Sequence, residues 1–132
     1  MRREEMPVPN LRIWYVNVFV SDLERAVEFY RDTLGLPLQF QDQKFGYASF
    51  ATQAVRLGVA QVDPNAPESK SLVGRHTGVG FGVPDLDAAY RQLAGRGVRF
   101  TMVPTKQPWG GYMATLADPD GNVFYLDQLR EE

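Results

Sequence analysis

Few residues in this chain are suited to chemistry. His76 is its one histidine and it has no cysteine, so these 132 residues offer no two-imidazole site, thiolate zinc centre, disulfide or cysteine nucleophile. No Gly-x-Ser-x-Gly elbow and no Walker phosphate loop occurs, and nothing marks a serine as the partner of His76 in a triad. What remains is a set of aromatic side chains, which could provide stacking area and phenolic hydrogen bonds to a ligand.

The candidate binding residues are mostly aromatic, joined by an amide, a guanidinium and the imidazole. They are Tyr15, Asn17, Phe19, Arg56, His76, Trp109, Tyr112 and Tyr125. Arg56 could pair with an acidic or phenolate ligand, and a surface salt bridge is the alternative. His76 could be a solvent-facing residue at the start of a strand, a hydrogen-bond partner of the ligand or a metal ligand. Tyr15, Phe19 and Tyr125 could equally be ordinary core residues.

Trp109 is singled out by its place on a loop. It stands within residues 107–111, Gln-Pro-Trp-Gly-Gly, and an aromatic residue on such a loop is more often part of a site or an interface than of the core. Because the proline and the glycines permit movement, we also consider the hypothesis that this loop is a lid over the binding surface.

An internal repeat indicates which elements position these residues. Residues 18–26 reappear as 81–89, with Asp22 and Asp85 at an offset of 63. Two copies are too few for a solenoid, so the repeat predicts two modules that share one core. Each copy opens with the period-two alternation of a strand and continues with the i, i+3, i+4, i+7 spacing of an amphipathic helix.

Each module is predicted to have the order βαβββ. After the helix, further strands are predicted at 38–41, 45–51 and 55–61 in the first module and at 98–103, 112–117 and 123–128 in the second. Ser21 and Glu24 fit a capping box, with the Ser21 hydroxyl as the cap of the first helix. Residues 118–122, Asp-Pro-Asp-Gly-Asn, predict a tight turn between the last two strands.

These elements predict an α+β fold in a single domain at residues 11–128, after an N-terminal extension at 1–10. The first module covers about 11–62, a connector rich in proline and serine covers 63–75, and the second module covers about 76–128. Whether the two modules pair within one chain or exchange between chains is left open by the sequence.

Composition and charge limit the classes of function. The chain has 14 Lys and Arg against 16 Asp and Glu, a net charge of −2, and 44% hydrophobic residues, which is typical of one soluble globular domain. The lack of an excess of basic residues argues against nucleic-acid or anionic-membrane binding, because both rely on basic patches. No apolar run approaches the roughly 20 residues of a membrane helix, and the charged start is unlike a signal peptide. We therefore expect a cytoplasmic protein.

The ordered motifs resemble the vicinal oxygen chelate superfamily, which includes glyoxalase I, bleomycin resistance proteins, fosfomycin resistance enzymes and extradiol dioxygenases. The resemblance covers about residues 11–128, and the matching stretches are 20–26, 29–32, 34–36, 83–89, 108–110 and 118–122. It implies that the paired modules make a curved, mostly antiparallel sheet. Helices would cover the convex face, and the concave face would form a cup for a metal or a ligand.

The same resemblance implies where a metal would bind, because metal-dependent members take ligands from the first and last strand of each module. Those positions here are Tyr15, Gly78, Tyr125 and either Gly58 or Arg56. A neutral phenol with a pKa of about 10 is a poor ligand for a divalent metal. His76 and Asp127 together would supply fewer than the three protein ligands usual for catalytic zinc. Asp127 is more simply interpreted as a surface charge at the end of the sheet.

We therefore expect a metal-free small-molecule-binding protein, similar to the bleomycin-resistance branch, that holds an aromatic or amphipathic ligand and has no cofactor. The resemblance also implies a homodimer in which Trp109 of one subunit meets the cup of the other. The alternative is an enzyme: a metal-dependent lyase or dioxygenase with a degenerate zinc, nickel, manganese or iron site, or an acid/base catalyst using Tyr15 or Tyr125. A sensor domain without turnover is a third possibility.

Overall fold

A computed structural model describes residues 10–130 as two consecutive βαβββ modules. Module 1 consists of β1 (Tyr15–Val20), α1 (Leu23–Val27) with a π-helical continuation (Glu28–Thr33), β2 (Leu38–Asp42), β3 (Tyr47–Phe50) and β4 (Arg56–Gln61). Module 2 consists of β5 (His76–Val83), α2 (Leu86–Gly95), β6 (Arg99–Lys106), β7 (Tyr112–Ala117) and β8 (Val123–Gln128). Apart from Asn10, the predicted extension at 1–10 lies outside the described residues.

Each module forms one four-stranded sheet. The strand orders are β1-β4-β3-β2 and β5-β8-β7-β6, so that β1 and β5 each lie at an edge. In both sheets the first strand pairs parallel with the last, and the other neighbours pair antiparallel. The predicted α+β architecture of paired, mostly antiparallel modules is confirmed, with the strands hydrogen-bonded as two sheets of four.

Alternation along the first strand of each module separates a core face from an opposite face. Val18 and Val20 are buried, and the odd-numbered apolar residues of β5 pack against the same hydrophobic cluster. This confirms the period-two prediction, since successive side chains of a strand point to opposite faces of its sheet. We call the opposite side of each sheet its open face; β1 and β5 contribute to it Tyr15, Asn17, Phe19, Gly78, Gly80 and Gly82.

The helices lie on the core side of the sheets, where Leu23 of α1 and Leu86 of α2 join one cluster with residues of both modules. The predicted helix cap is wrong by one residue. Asp22, not Ser21, accepts the hydrogen bond from the backbone N–H of Arg25, at 3.1 Å. A carboxylate at this position caps as well as a hydroxyl does. The Ser21 hydroxyl is therefore available to donate to Asp120 of module 2, at 2.5 Å.

The first helix widens after Val27. The Leu34 N–H donates to the Phe29 C=O, five residues back, at 2.9 Å, which is the hydrogen bonding of a π-helix. A positive φ of 83° at Gly35, which glycine adopts without strain, ends the segment. Within residues 10–130 no helix is both long enough and apolar enough to span a membrane.

The turn at 118–122 joins the two modules. Asn122 is fully buried, and its amide donates to the Phe19 C=O of β1 at 2.8 Å. The same side chain accepts from the Gly74 N–H of the connector at 2.9 Å. The turn itself was predicted, but its role as the joint between the modules was not.

A buried phenol and carboxylate strengthen this joint. The Tyr30 hydroxyl donates to Oδ2 of Asp118 at 2.6 Å, and both residues are buried. Burial, followed by the charge and the hydrogen bond of Asp118, raises the pKa of Tyr30 far above its ordinary value. Tyr30 therefore remains a neutral hydrogen-bond donor in the folded protein.

Candidate functional site

The open face of module 1 brings together four of the predicted binding residues. β1 and β4 pair in parallel, which places Tyr15 directly beside Arg56, with Asn17 and Phe19 following on the same face of β1. Tyr15 is 51% exposed, so it does not fill the core. Beyond Asn17 and Phe19, a cleft of about 200 Å³ extends towards Arg75 at the end of the connector.

Arg56 lies against a tryptophan that the sequence analysis missed. Its guanidinium carbon is 4.8 Å from the ring centre of Trp14, which is 59% exposed and packs edge-on against Tyr15. Within residues 10–130 no carboxylate pairs with Arg56, so the alternative of a surface salt bridge is not found there. Trp14 stands immediately before β1 and so lies outside the alternating residues that predicted this strand. Its position next to Tyr15 in the sequence is the one feature that could have indicated it.

A hydrogen bond crosses β4 on this open face. The Tyr47 hydroxyl of β3 donates to Oδ1 of Asn17 on β1 at 2.8 Å, and it passes over Gly58 of the strand between them. A Cβ at position 58 would overlap both oxygens and would lie 2.8 Å from Cζ of Tyr47. Glycine is therefore required here. Because Oδ1 is taken, the NH₂ group of Asn17 remains as the donor that this amide offers to a ligand.

Tyr47 serves as a donor, and its electrostatics agree with that role. Burial raises the pKa of Tyr47 above its ordinary value, Tyr15 raises it further, and Arg56 acts in the opposite direction. The phenol thus stays protonated at neutral pH. A tyrosine acting as a base would need a lowered pKa, and the shift at Tyr47 goes the other way.

On the open face of module 2, His76 and Tyr125 are in contact, with ring centroids 4.7 Å apart. His76 is exposed at the first position of β5, and its Nδ1 accepts a hydrogen bond from the Gly78 N–H at 3.1 Å. This placement matches the solvent-facing alternative for His76. Gly80 lies beside Tyr125 in the register and leaves one side of the phenol without a neighbouring side chain.

Asp127 is placed differently from its interpretation as a surface charge. It lies between Gly82 of β5 and Met113 of β7, and it is partly buried. Its Oδ1 is fully buried and has no hydrogen-bond partner within residues 10–130. A pocket of about 450 Å³ adjoins it, lined by residues 80–82 and 127–130. Sequence alone gave no sign of this, since the burial depends on the neighbouring strands.

Two predicted residues lie away from these groups. Tyr112 packs on the core side and donates to Asp87 of α2 at 2.5 Å, so its predicted place in the cup is corrected. The alternation along β7 turns it towards the helices. Trp109 is 66% exposed and folds over Gly111 of its own loop, which the Gln107 N–H closes by donating to the Gly111 C=O at 2.8 Å. Whether this loop moves as a lid stays a prediction.

The metal-ligand positions implied by the resemblance can now be assigned. Gly80 pairs with Tyr125 in module 2, and its counterpart Asn17, at the repeat offset, pairs with Gly58 in module 1, so Gly58 rather than Arg56 is the fourth position. The set is Tyr15, Gly58, Gly78 and Tyr125. Nowhere in residues 10–130 do three His, Asp or Glu side chains come together in an arrangement that could hold a metal ion. The residues present do not fit a divalent metal.

Comparison with known proteins finds a matching family and similar individual proteins. Residues 12–126 match the model of the Glyoxalase/Bleomycin resistance protein/Dioxygenase superfamily. The uncharacterized protein YraH of Bacillus subtilis (strain 168) is 29% identical over 127 residues, which cover 90% of this chain and 99% of YraH.

Two solved structures are also similar. One is a member of the same superfamily from Sphaerobacter thermophilus DSM 20745, with 31% identity and a TM-score of 0.77, covering 92% of this chain and 100% of that one. The other is TnmS3, described as an antibiotic binding protein from Streptomyces sp. CB03234, with 31% identity and a TM-score of 0.74, covering 94% of this chain and 100% of TnmS3.

Proposed function

We propose a function from one premise: the chain belongs to the Glyoxalase/Bleomycin resistance protein/Dioxygenase superfamily. Within that family, we propose that it binds an aromatic or amphipathic small molecule on its open faces, without a metal ion. The observation that carries this proposal is the open face of module 1. There, the exposed Trp14 ring lies against the Arg56 guanidinium and the exposed Tyr15 stands beside Arg56 in the register; Arg56 has no carboxylate partner among the described residues.

The groups on this face suit a flat, oxygen-bearing guest. Trp14 and Tyr15 provide exposed rings on which an aromatic system can stack. Asn17, held by Tyr47, presents its NH₂ group, and Arg56 presents a guanidinium, so two donors are available for carbonyl, phenolate or carboxylate oxygens. A mostly apolar surface with a few fixed polar groups is typical of small-molecule sites.

The similarity to TnmS3 supports an antibiotic or related natural product as the ligand class. At 31% identity over 94% of this chain, the likeness covers both modules and is not limited to one motif. Sequestration of such a compound needs only a shaped surface with polar anchors, and no catalytic group. We therefore place antibiotic binding, with resistance by sequestration, ahead of turnover.

We further propose that the protein binds its ligand as a homodimer. Each sheet ends in edge strands that have no further neighbouring strand among the described residues, and such edges favour association with another chain. Apolar side chains are exposed on or beside both open faces, among them Phe40 and Leu129. A second copy that covers them would turn two open faces into one cleft and could bring its Trp109 to the site.

Tryptophan fluorescence tests the proposal, because the chain has two tryptophans, Trp14 and Trp109. Trp109→Phe leaves Trp14 as the reporter, and Trp14→Phe leaves Trp109. We expect fused-ring aromatic antibiotics to change the emission of Trp14, and Arg56→Met to weaken that binding. Arg91→Met, at an exposed arginine of α2, is the matched control and should bind like the wild type. If no compound of the panel changes the emission or gives heat in calorimetry, the proposal is wrong.

A further inference from the structure

We infer that Asp127 recognises a basic nitrogen of the ligand on the open face of module 2, so that aromatic amines are the preferred ligand class. This inference rests on the proposed function, which leaves the charge of the ligand open. It assigns a role to a residue outside the four positions at which metal-dependent relatives hold their metal.

The first observation is the state of the carboxylate. Oδ1 of Asp127 is buried, and within residues 10–130 it has no hydrogen-bond partner and no Lys, Arg or His forms an ion pair with the carboxylate. The great majority of buried polar atoms in native proteins are hydrogen-bonded, because an unpaired one is costly. Asp127 as a whole is only partly buried and lines the pocket, so its carboxylate can accept from a molecule bound there.

The neighbouring strands cannot supply that donor. In the register, Asp127 lies between Gly82, which has no side chain, and Met113, whose thioether is only a weak acceptor. Arg130 lines the same pocket without forming an ion pair with Asp127. A molecule bound in the pocket of about 450 Å³ can supply the missing donor.

The pocket also has an apolar wall. The Leu129 side chain lies over Gly82, with its Cδ2 2.5 Å from where a Cβ of residue 82 would stand. Its backbone N–H donates to the Val83 C=O at 2.8 Å, which fixes the wall beside the carboxylate. Leu129 thus occupies the space beside Gly82 and gives the pocket one hydrophobic side.

The chemical class of the ligand follows from these groups. An ionised carboxylate only accepts hydrogen bonds, and a protonated amine both donates to it and neutralises its charge. Tyr125 is two residues earlier on the same strand face, about 7 Å away at the usual strand rise, and its ring packs against His76. An amine within a few bonds of an aromatic ring could therefore reach Asp127 while its ring stacks on Tyr125.

Three matched naphthalene probes test the inference: 1-naphthylmethylamine, 1-naphthylmethanol and 1-naphthylacetic acid. Their affinities are measured by NMR titration, which detects millimolar binding and reports whether the amides of Gly80 and Gly82 respond. We expect the amine to bind the wild type roughly 10- to 100-fold more tightly than the alcohol, the range of one charge-assisted hydrogen bond. Asp127→Asn should abolish this preference and leave the affinity for the alcohol unchanged. Glu68→Gln, at an exposed carboxylate of the connector, should behave like the wild type.

The outcomes separate the two proposals. Equal affinities for the three probes, or an amine preference that survives in Asp127→Asn, would overturn the inference and leave the proposed function standing. Absence of binding by these probes and by the antibiotic panel would overturn both. Asp127→Asn is isosteric and removes a buried charge, so we expect it to fold with no loss of melting temperature. If it does not fold, the comparison of amine and alcohol on the wild type decides.

Discussion

Gly58→Ala tests the geometry of the open face of module 1 with the smallest chemical change. The added methyl group would overlap the hydroxyl oxygen of Tyr47 and Oδ1 of Asn17, and it would lie 2.8 Å from Cζ of Tyr47. Atoms in proteins do not approach one another so closely. Tyr47 must therefore swing away, and its hydrogen bond to Asn17 is lost.

The magnitude follows from three contributions to the free energy of unfolding. Loss of the Tyr47–Asn17 hydrogen bond costs about 1 kcal/mol. Forcing a methyl group into occupied space costs about 1–3 kcal/mol. Alanine gains about 0.5–1 kcal/mol over glycine in a strand, because its unfolded chain has less conformational freedom to lose. We therefore expect Gly58→Ala to lower the free energy of unfolding by about 2 kcal/mol.

Gly80→Ala is the matched control, since Gly80 is on the open face of module 2 and pairs with Tyr125. A Cβ there would meet Cβ of Tyr125 at 3.5 Å, which is an ordinary contact. This variant should be neutral or more stable by about 0.5 kcal/mol. Urea denaturation followed by circular dichroism measures both variants. If Gly58→Ala is no less stable than Gly80→Ala, the account of the crossing hydrogen bond is wrong.

A double-mutant cycle separates the clash from the hydrogen bond. Tyr47→Phe alone should cost about 1 kcal/mol, because Asn17 loses its donor. Adding Gly58→Ala to Tyr47→Phe should cost less than adding it to the wild type, since the overlapping hydroxyl is gone. We expect a coupling energy of about 1 kcal/mol, and strict additivity would contradict the contact.

Two further predictions concern the joint between the modules. Asn122→Ala removes the buried amide that donates to the Phe19 C=O and accepts from the Gly74 N–H. We expect urea denaturation to show a free energy of unfolding lower by about 3 kcal/mol. A loss below about 1 kcal/mol would contradict the role of Asn122 in the joint. Tyr30→Phe should cost about 1.5–3 kcal/mol at neutral pH, because Asp118 loses its donor. The raised pKa of Tyr30 keeps the phenol protonated in the folded protein, whereas in the unfolded chain it ionises above its ordinary pKa of 10.0. The stability difference between the wild type and Tyr30→Phe should therefore shrink by about 1.4 kcal/mol for each pH unit above 10.0. A difference between wild type and variant that stays constant up to about pH 11 would contradict the buried pair.

The elements of the fold could be predicted because their signals are local. The repeat, the alternation along β1 and β5 and the turn at 118–122 follow from residues a few positions apart, and the predicted bounds of β7 and β8 match the structure. Alternation failed to place Tyr112 because β7 has small or apolar residues on both faces. The sequence Met-Ala-Thr-Leu-Ala after Tyr112 does not distinguish the two sides.

The site was predicted less completely, since it depends on which strands are neighbours. The need for glycine at position 58 arises because Asn17 and Tyr47 flank β4, and no local pattern encodes that order. The buried oxygen of Asp127 likewise depends on its neighbours across the sheet and on the residues that follow β8. Trp14 was missed because it precedes the alternating segment and contacts Arg56 only once β1 and β4 are paired.

The most direct test of the central claim, ligand binding without a metal, uses Trp109→Phe with Trp14 as the reporter. An aromatic ligand from the panel is titrated first in the presence of EDTA, and then after addition of zinc, nickel, manganese or iron(II). We predict the same affinity and the same change in Trp14 emission in every case. Binding that disappears with EDTA and returns with one of these metals would contradict the claim and would indicate a metal-dependent member of the superfamily.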